Sequence, residues 1–187
     1  MDEEKNRVFI CIDFPDEVIK EVARIQELVL KRKFTGKLTD LENLHLTLKF
    51  LGEIYEKTLE NVKEKLKNIK FKGMELKLGE IGLFNHGGNP KIVWIKVEGK
   101  GIWDLQKQID TSLKGIFPEE ERFMSHLTIA RVKYVKDKAD FKKHIENINV
   151  KPIKFKIDRF KLKSSDLKKS KLGPVYTTIE ECVADRY

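Results

Sequence analysis

Residues 45–48 read His-Leu-Thr-Leu, and residues 126–129 read His-Leu-Thr-Ile. The two tetrapeptides lie in longer stretches, LHLTLKFL at 44–51 and SHLTIARVKY at 125–134. Both stretches have the apolar content and alternation of β-strands. Successive side chains on a strand face opposite ways, so His and Thr of each copy share one face and the two aliphatic residues share the other. The aliphatic pair suits a core, and the polar pair is left for a cleft. The chain has four histidines. At ordinary residue frequencies, a given histidine is followed by Leu-Thr-aliphatic about once in a thousand. Two such matches point to a duplicated unit, with the copies on opposite walls of one cleft.

The flanking segments predict alternating strands and helices. RVFICIDF at 7–14 is a compact apolar run and predicts a strand. Pro15 and Asp16 then open a helix, with Val18, Val22, Ile25, Leu28 and Val29 at helical spacing. Gly52 is expected to end the strand of the first copy. Residues 57–69 predict an amphipathic helix through Leu59, Val62, Leu66 and Ile69. Strands are expected near 74–83 and 91–97, joined by the loop Asn85-His86-Gly87-Gly88-Asn89-Pro90. A helix near 101–115 follows, with Ile102, Leu105, Ile109 and Leu113 spaced for burial. After the second copy come a short helix near 137–147 and strands near 153–163 and 174–184, the last two separated by the polar, basic SSDLKKSKLGP. No stretch has the composition of a linker or a low-complexity tail, so residues 1–187 are expected to form one domain.

A chain of 187 residues can bury a core without disulfide or metal staples. Charged residues make up 36% of the chain, above the roughly 25% of ordinary soluble domains. The Lys- and Glu-rich balance resembles a thermophile's surface. The net charge is +8 and the pI about 9.3, a surplus that draws phosphate polymers. The plainer reading of that charge is a soluble lysine-rich surface. Cys11 and Cys182 both sit in apolar strand-like runs without a CxxC spacing, which fits a reducing cytoplasm. No apolar run is long enough for a signal peptide or a membrane span, so a cytosolic protein without membrane contact is expected. There is no H-x-x-x-H and no carboxylate cluster, so no metal is expected. There is no G-x-x-x-x-G-K loop and no K-x-D-G ligase motif, so no ATP and no other cofactor is expected.

Two imidazoles on facing walls suit phosphodiester chemistry at neutral pH. With an unperturbed pKa of about 6.5, one ring can be neutral while the other is protonated. The neutral ring takes a proton from an attacking water, and the charged ring gives one to the leaving ribose oxygen. Each transfer contributes about 10²–10⁴ in rate. The hydroxyls of Thr47 and Thr128 can hydrogen-bond non-bridging phosphate oxygens. A cyclic phosphate is already strained, so no metal or ATP need be supplied. This much is symmetric in His45 and His126. A single His-x-Thr on a strand is more often ordinary sheet surface, and it is the duplication that carries the inference. His86, in a glycine turn, and His144, on a lysine-rich helix, are expected to be solvated.

The paired motifs resemble those of the 2H phosphoesterase superfamily, and in particular the RNA 2',3'-cyclic phosphodiesterases, also called 2'-5' RNA ligases. The similarity covers nearly the whole chain: RVFICIDF, NLHLTLKFLGE, PKIVWIKVEG, RFMSHLTIARV and FKLKSSDLKKSKLGPVYTTIEE all look like that branch. The resemblance implies a bilobal α+β fold, with two pseudo-symmetric antiparallel sheets lining a central cleft and helices on the outer faces. It implies His45 as proton donor, His126 as proton acceptor and a 2'-phosphomonoester as product. Some members also join tRNA halves through a 2'-5' linkage, so ATP-independent ligation is one alternative. A nucleotide- or RNA-binding module without turnover is another. The implied partner is RNA or a nucleotide ending in a cyclic phosphate, with tRNA fragments among the candidates, and a monomer is expected.

Two further positions carry over from the resemblance. Phe50 and Arg131 each lie five residues after a motif histidine. In similar enzymes the aromatic can stack on a base and the arginine can hold phosphate. Strict alternation would turn both away from the cleft, so a bulge or strand end must intervene. The simpler reading of Phe50 is core packing. Basic residues of 163–172 are read either as a guide for the RNA backbone or, preferably, as a solvated loop. One departure is Ser125, where many relatives have proline, and serine is expected to loosen the approach to the second motif.

Overall fold

The computed structural model describes residues 5–166 and 173–185. Its elements are β1 (Lys5–Asp13), α1 (Asp16–Val29), β2 (Thr35–Leu38), a 3₁₀ turn (Leu41–Asn43), β3 (His45–Tyr55), α2 (Glu56–Lys67) and β4 (Met74–His86). These are followed by β5 (Asn89–Glu98), α3 (Lys100–Ser112), β6 (His126–Tyr134), α4 (Lys138–Glu146), β7 (Lys154–Ile157), β8 (Arg159–Asp166) and β9 (Val175–Val183). The strands form two antiparallel sheets, ordered β3-β1-β8-β9 and β2-β6-β5-β4-β7.

The duplication read from the motifs is visible in the topology. The run β6-β5-β4-β7 repeats the run β3-β1-β8-β9, with β6 in the place of β3. The halves also exchange strands, two in each direction, with β2 and β9 at the sheet edges. β4 comes from the first half of the chain but lies in the second sheet, and β8 does the reverse. Each sheet is therefore completed by the other half. The helices cover the apolar faces: α2 packs on β1, β3 and β9, α1 on β6, α4 on β4 and β5, and α3 on β3 and β4. On α1, Val18, Val22, Ile25 and Val29 are buried as their spacing requires, while Leu28 is half-buried at the margin. One hydrophobic cluster runs through both halves, from Val8 to Leu162 and Cys182. Both cysteines are buried and unpaired. Among the described residues, no helix is long and apolar enough to cross a membrane.

Four local expectations are corrected. Gly52 does not end its strand; β3 runs on to Tyr55, because Leu51 is bulged against β1 and Gly52 takes a φ of 77° that absorbs the kink. The expected loop 85–90 shrinks to Gly87-Gly88, whose φ values of 54° and 71° make a two-residue hairpin turn between β4 and β5. Residues 153–163 are two strands, with β7 on β4 in the second sheet and β8 on β1 in the first. The apolar alternation slips there, from Phe155 and Ile157 to Phe160 and Leu162, and the chain changes sheets at that slip. His144 is half-buried, with Nε2 2.8 Å from the Leu28 carbonyl, so α4 is tied to α1 where a solvated ring was expected. His86 is exposed at the hairpin, as expected.

Candidate active site

Each motif strand carries the same irregularity. In β3, Thr47 pairs with Cys11 and Lys49 with Ile10, which leaves Leu48 bulged. In β6, Thr128 pairs with Trp94 and Ala130 with Val93, which leaves Ile129 bulged. A bulge inserts one extra residue and shifts the side-chain parity beyond it. Leu48 and Lys49 both turn inward, as do Ile129 and Ala130. Phe50 and Arg131 consequently return to the face that carries His45, Thr47, His126 and Thr128.

Both bulges are held from outside their sheets. Lys49 is a buried cation whose Nζ donates to the Asp110 carboxylate on α3 and to the Pro118 carbonyl at 2.7 Å. Asp110 also accepts from Gln106 at 2.7 Å and from the Glu120 amide at 3.0 Å. Burial pulls the Asp110 pKa up, but the hydrogen bonds from Lys49, the Glu120 amide and Gln106 outweigh it and hold the carboxyl below its usual range. At the second bulge, the Ile129 carbonyl accepts from the Thr39 amide at 2.9 Å and from Gln26 Nε2 at 2.9 Å. Gln26 is buried on α1 and donates also to the Thr39 carbonyl at 2.8 Å.

The two imidazoles are oriented alike. His45 Nδ1 lies 2.8 Å from the Asn43 carbonyl, and His126 Nδ1 lies 2.7 Å from the Met124 carbonyl. In each case the partner is the residue two positions earlier. A carbonyl oxygen only accepts, so each Nδ1 carries the hydrogen and each Nε2 is the nitrogen left to exchange protons. Aromatic rings brace both. Phe9 lies 4.8 Å from His45, centroid to centroid; Tyr176 meets His45 edge-on at 5.3 Å, and Phe84 meets His126 edge-on at 5.1 Å.

His45, Thr47, His126, Thr128 and Arg131 line one cavity of about 160 Å³, together with Lys37 and Tyr176. That volume suits a phosphoryl group better than a whole nucleotide. Both imidazoles are half-buried, within reach of solvent. The His45 pKa lies below its usual value, first because burial disfavours the charged ring. The Asn43 carbonyl and Asp13 oppose that shift, while Lys163 and Arg131 add to it. Asp13, across from His45 in the register, is bonded by Lys163 at 2.5 Å and Lys161 at 3.0 Å. Burial raises the Asp13 pKa, but those two lysines outweigh it and hold the carboxylate low. Burial raises the Cys11 thiol to about 12, so it is no nucleophile. Among the described residues, no three His, Cys, Asp or Glu side chains converge as a metal set.

The structure thus brings five of the six sequence-predicted side chains into one cavity. Phe50 shares their face but does not line the cavity; it is 52% exposed, which also removes the core-packing reading. Ser125 does not loosen the second motif. It is buried, and its carbonyl accepts from the Val97 amide at 3.0 Å, which pins the backbone. Its hydroxyl has no hydrogen-bond partner among the described residues. Lys163 lies in β8 and is paired with Asp13, so it is not loop. Residues 167–172, the rest of the expected basic loop, lie outside the described residues. Sequence reasoning missed Lys37 and Tyr176. Lys37 sits on the short polar strand β2, Thr-Gly-Lys-Leu, which has no apolar alternation to betray it. Tyr176 belongs to no motif and reaches His45 only through the pairing of β9 beside β8.

Comparison with known proteins gives a consistent picture. The chain matches the LigT-like phosphoesterase family over residues 12–94 and again over 96–173, one match per half. It is 37% identical to an RNA 2',3'-cyclic phosphodiesterase of Thermotoga maritima over 94% of each chain. It is 34% identical to one of Methanocaldococcus jannaschii over 94% of this chain and 99% of that protein. A crystal structure from Thermus thermophilus superposes with a TM-score of 0.75 at 26% identity, covering 95% of this chain and 97% of that one. Escherichia coli LigT complexed with 3'-AMP shares the fold, with a TM-score of 0.72 at 22% identity, covering 98% of this chain and all of that one (100%).

Proposed function

We propose, since this chain belongs to the LigT-like phosphoesterase family, that it hydrolyses the 2',3'-cyclic phosphate at the end of RNA to a 2'-phosphomonoester by general acid and base catalysis. The observation that carries this reading is the pair of imidazoles in one cavity, each with Nδ1 bonded to a backbone carbonyl and Nε2 left to move protons. The relatives named RNA 2',3'-cyclic phosphodiesterase support the choice of substrate.

In the reaction, water attacks phosphorus as His126 Nε2 takes its proton. The bond from phosphorus to the 3' oxygen breaks, and His45 Nε2 protonates that oxygen. The phosphate stays on the 2' oxygen, and the 3' hydroxyl is free. Thr47 and Thr128 donate hydrogen bonds to the non-bridging oxygens, and Arg131 sets a fixed positive charge beside them. The donor and acceptor roles follow the family resemblance. Burial favours neutral His45 in the free enzyme. The anionic substrate supplies the opposite push, since a nearby negative charge stabilises the imidazolium. Phe50 offers an exposed ring on the same face for a base.

We take the protein to act as a monomer in a reducing cytoplasm, with tRNA fragments among its candidate substrates. The buried, unpaired Cys11 and Cys182 fit such a compartment. The reaction is written without a metal, so hydrolysis should persist in EDTA; loss restored by a divalent ion would reverse that assignment. The direct test is product analysis. An RNA ending in a cyclic phosphate should yield only the 2'-monoester by chromatography against both standards. A 3'-monoester, or no product, would overturn the proposal.

A further inference from the structure

The open face of the first sheet continues well past the catalytic cavity. Beyond the Leu48 bulge, β3 and β1 pair as Phe50 with Phe9, Glu53 with Arg7 and Tyr55 with Lys5. Directly opposed residues in an antiparallel pair share a face. Phe9 is the ring that packs on His45, so this row is continuous with the cavity. Arg7 lies two residues before Phe9 on β1 and so shares its face.

The row alternates cations with exposed rings. The Arg7 guanidinium lies 5.1 Å from the centre of the Phe50 ring, and Lys5 Nζ lies 4.9 Å from that of Tyr55. Phe50 is 52% exposed and Tyr55 43%. Neither Arg7 nor Lys5 makes an ion pair among the described residues, although Glu53 stands opposite Arg7. Apolar rings of this size left open on a sheet face ask for a partner, and two cations over them select an anionic, stackable one. Bases linked by phosphates answer both demands. Phe9 and Lys5 are four positions apart on β1, a reach of about 13 Å at strand spacing, which is more than one nucleotide needs.

We infer that the face running from Phe50 and Arg7 to Tyr55 and Lys5 holds the nucleotides on the 5' side of the terminal one. The substrate class is then single-stranded RNA of several nucleotides, with the cyclic mononucleotide as its minimal fragment. This rests on the proposed hydrolysis and extends it. The terminal phosphate enters the small cavity, and the preceding bases stack along the row with their phosphates against Arg7 and Lys5.

The test compares kcat/KM for a cyclic mononucleotide with that for a six-nucleotide single strand ending in the same cyclic phosphate. The oligomer should be favoured by wild-type protein, mainly through KM. Tyr55→Ala should cut the oligomer-to-mononucleotide ratio on the order of five- to tenfold. Arg7→Gln should lower the salt slope for the oligomer by about 0.7, one phosphate contact on a single strand. Circular dichroism melts establish that the variants fold. An unchanged ratio in both variants would overturn the inference. So would equal losses on both substrates, which mark a structural role. Fluorescence anisotropy with the same oligomer lacking the cyclic phosphate separates the two proposals. If wild type turns over no cyclic phosphate, hydrolysis fails, while Tyr55-dependent RNA binding still supports the track.

Discussion

Gln26 is expected to govern the second motif without touching substrate. It is 6% exposed, and its Nε2 donates at 2.8 Å to the Thr39 carbonyl and at 2.9 Å to the Ile129 carbonyl. Ile129 is the bulged residue that returns Arg131 to the cleft. Gln26→Leu keeps the bulk and removes both bonds, at about 1 kcal/mol each. The Ile129 carbonyl keeps the Thr39 amide, but the Thr39 carbonyl is left short of a donor, which adds about 1–2 kcal/mol. The total is about 3–4 kcal/mol, or roughly 6–16 °C in Tm for a chain of this length. Differential scanning calorimetry reads that loss, with exposed Gln108→Leu as the neutral control. A slackened bulge should also lower kcat/KM about tenfold or more, because placement errors near 1 Å are that expensive. A melting point within a degree or two of wild type, with kcat/KM unchanged, would refute the idea that Gln26 holds the bulge.

The first bulge should behave likewise. Lys49→Met or Asp110→Asn alone leaves an uncompensated buried partner and should cost about 3 kcal/mol, whereas the double variant should cost clearly less than the sum; additive losses in denaturant melts would remove the pair from the account. Asp110 titrates below its unfolded value, so its share of stability is present above about pH 4 and is lost as pH falls through the lowered folded value. Ser125→Ala should leave stability unchanged or raise it, since the buried hydroxyl it removes has no partner among the described residues; a clear drop in Tm would reveal a bond that serine makes. For the free enzyme, the alkaline limb of the kcat/KM profile, where the proton donor His45 loses its proton, should lie below about pH 6.5. Lys163→Met removes a cation that depresses His45 and leaves Asp13 held by Lys161 alone, so that alkaline limb should move up; a limb that stays or moves down contradicts the assignment.

The motif faces were legible because alternation is local. Leu46 and Leu48 go to the core and His45 and Thr47 to the cleft by strand geometry alone, and the same holds in β6. Alternation did not show the bulges, which only the resemblance called for if Phe50 and Arg131 were to act, because what holds them is remote in sequence. Lys49 is settled by Asp110 and Pro118, and Ile129 by Gln26, 103 residues away. Strict alternation therefore sent Phe50 and Arg131 the wrong way. The strand exchange was half legible. The slip between Ile157 and Phe160 signals a break, but not that the chain crosses to the other sheet. Lys37 and Tyr176 were out of reach, since their place in the cavity depends on which strands lie side by side.

The central claim is that two imidazoles share one phosphate. Hydrolysis of a 2',3'-cyclic phosphate should therefore be measured for His45→Ala and His126→Ala, each checked for native melting. Each variant should lose about 10²–10⁴ in kcat. Native folding with near wild-type turnover in both would contradict it.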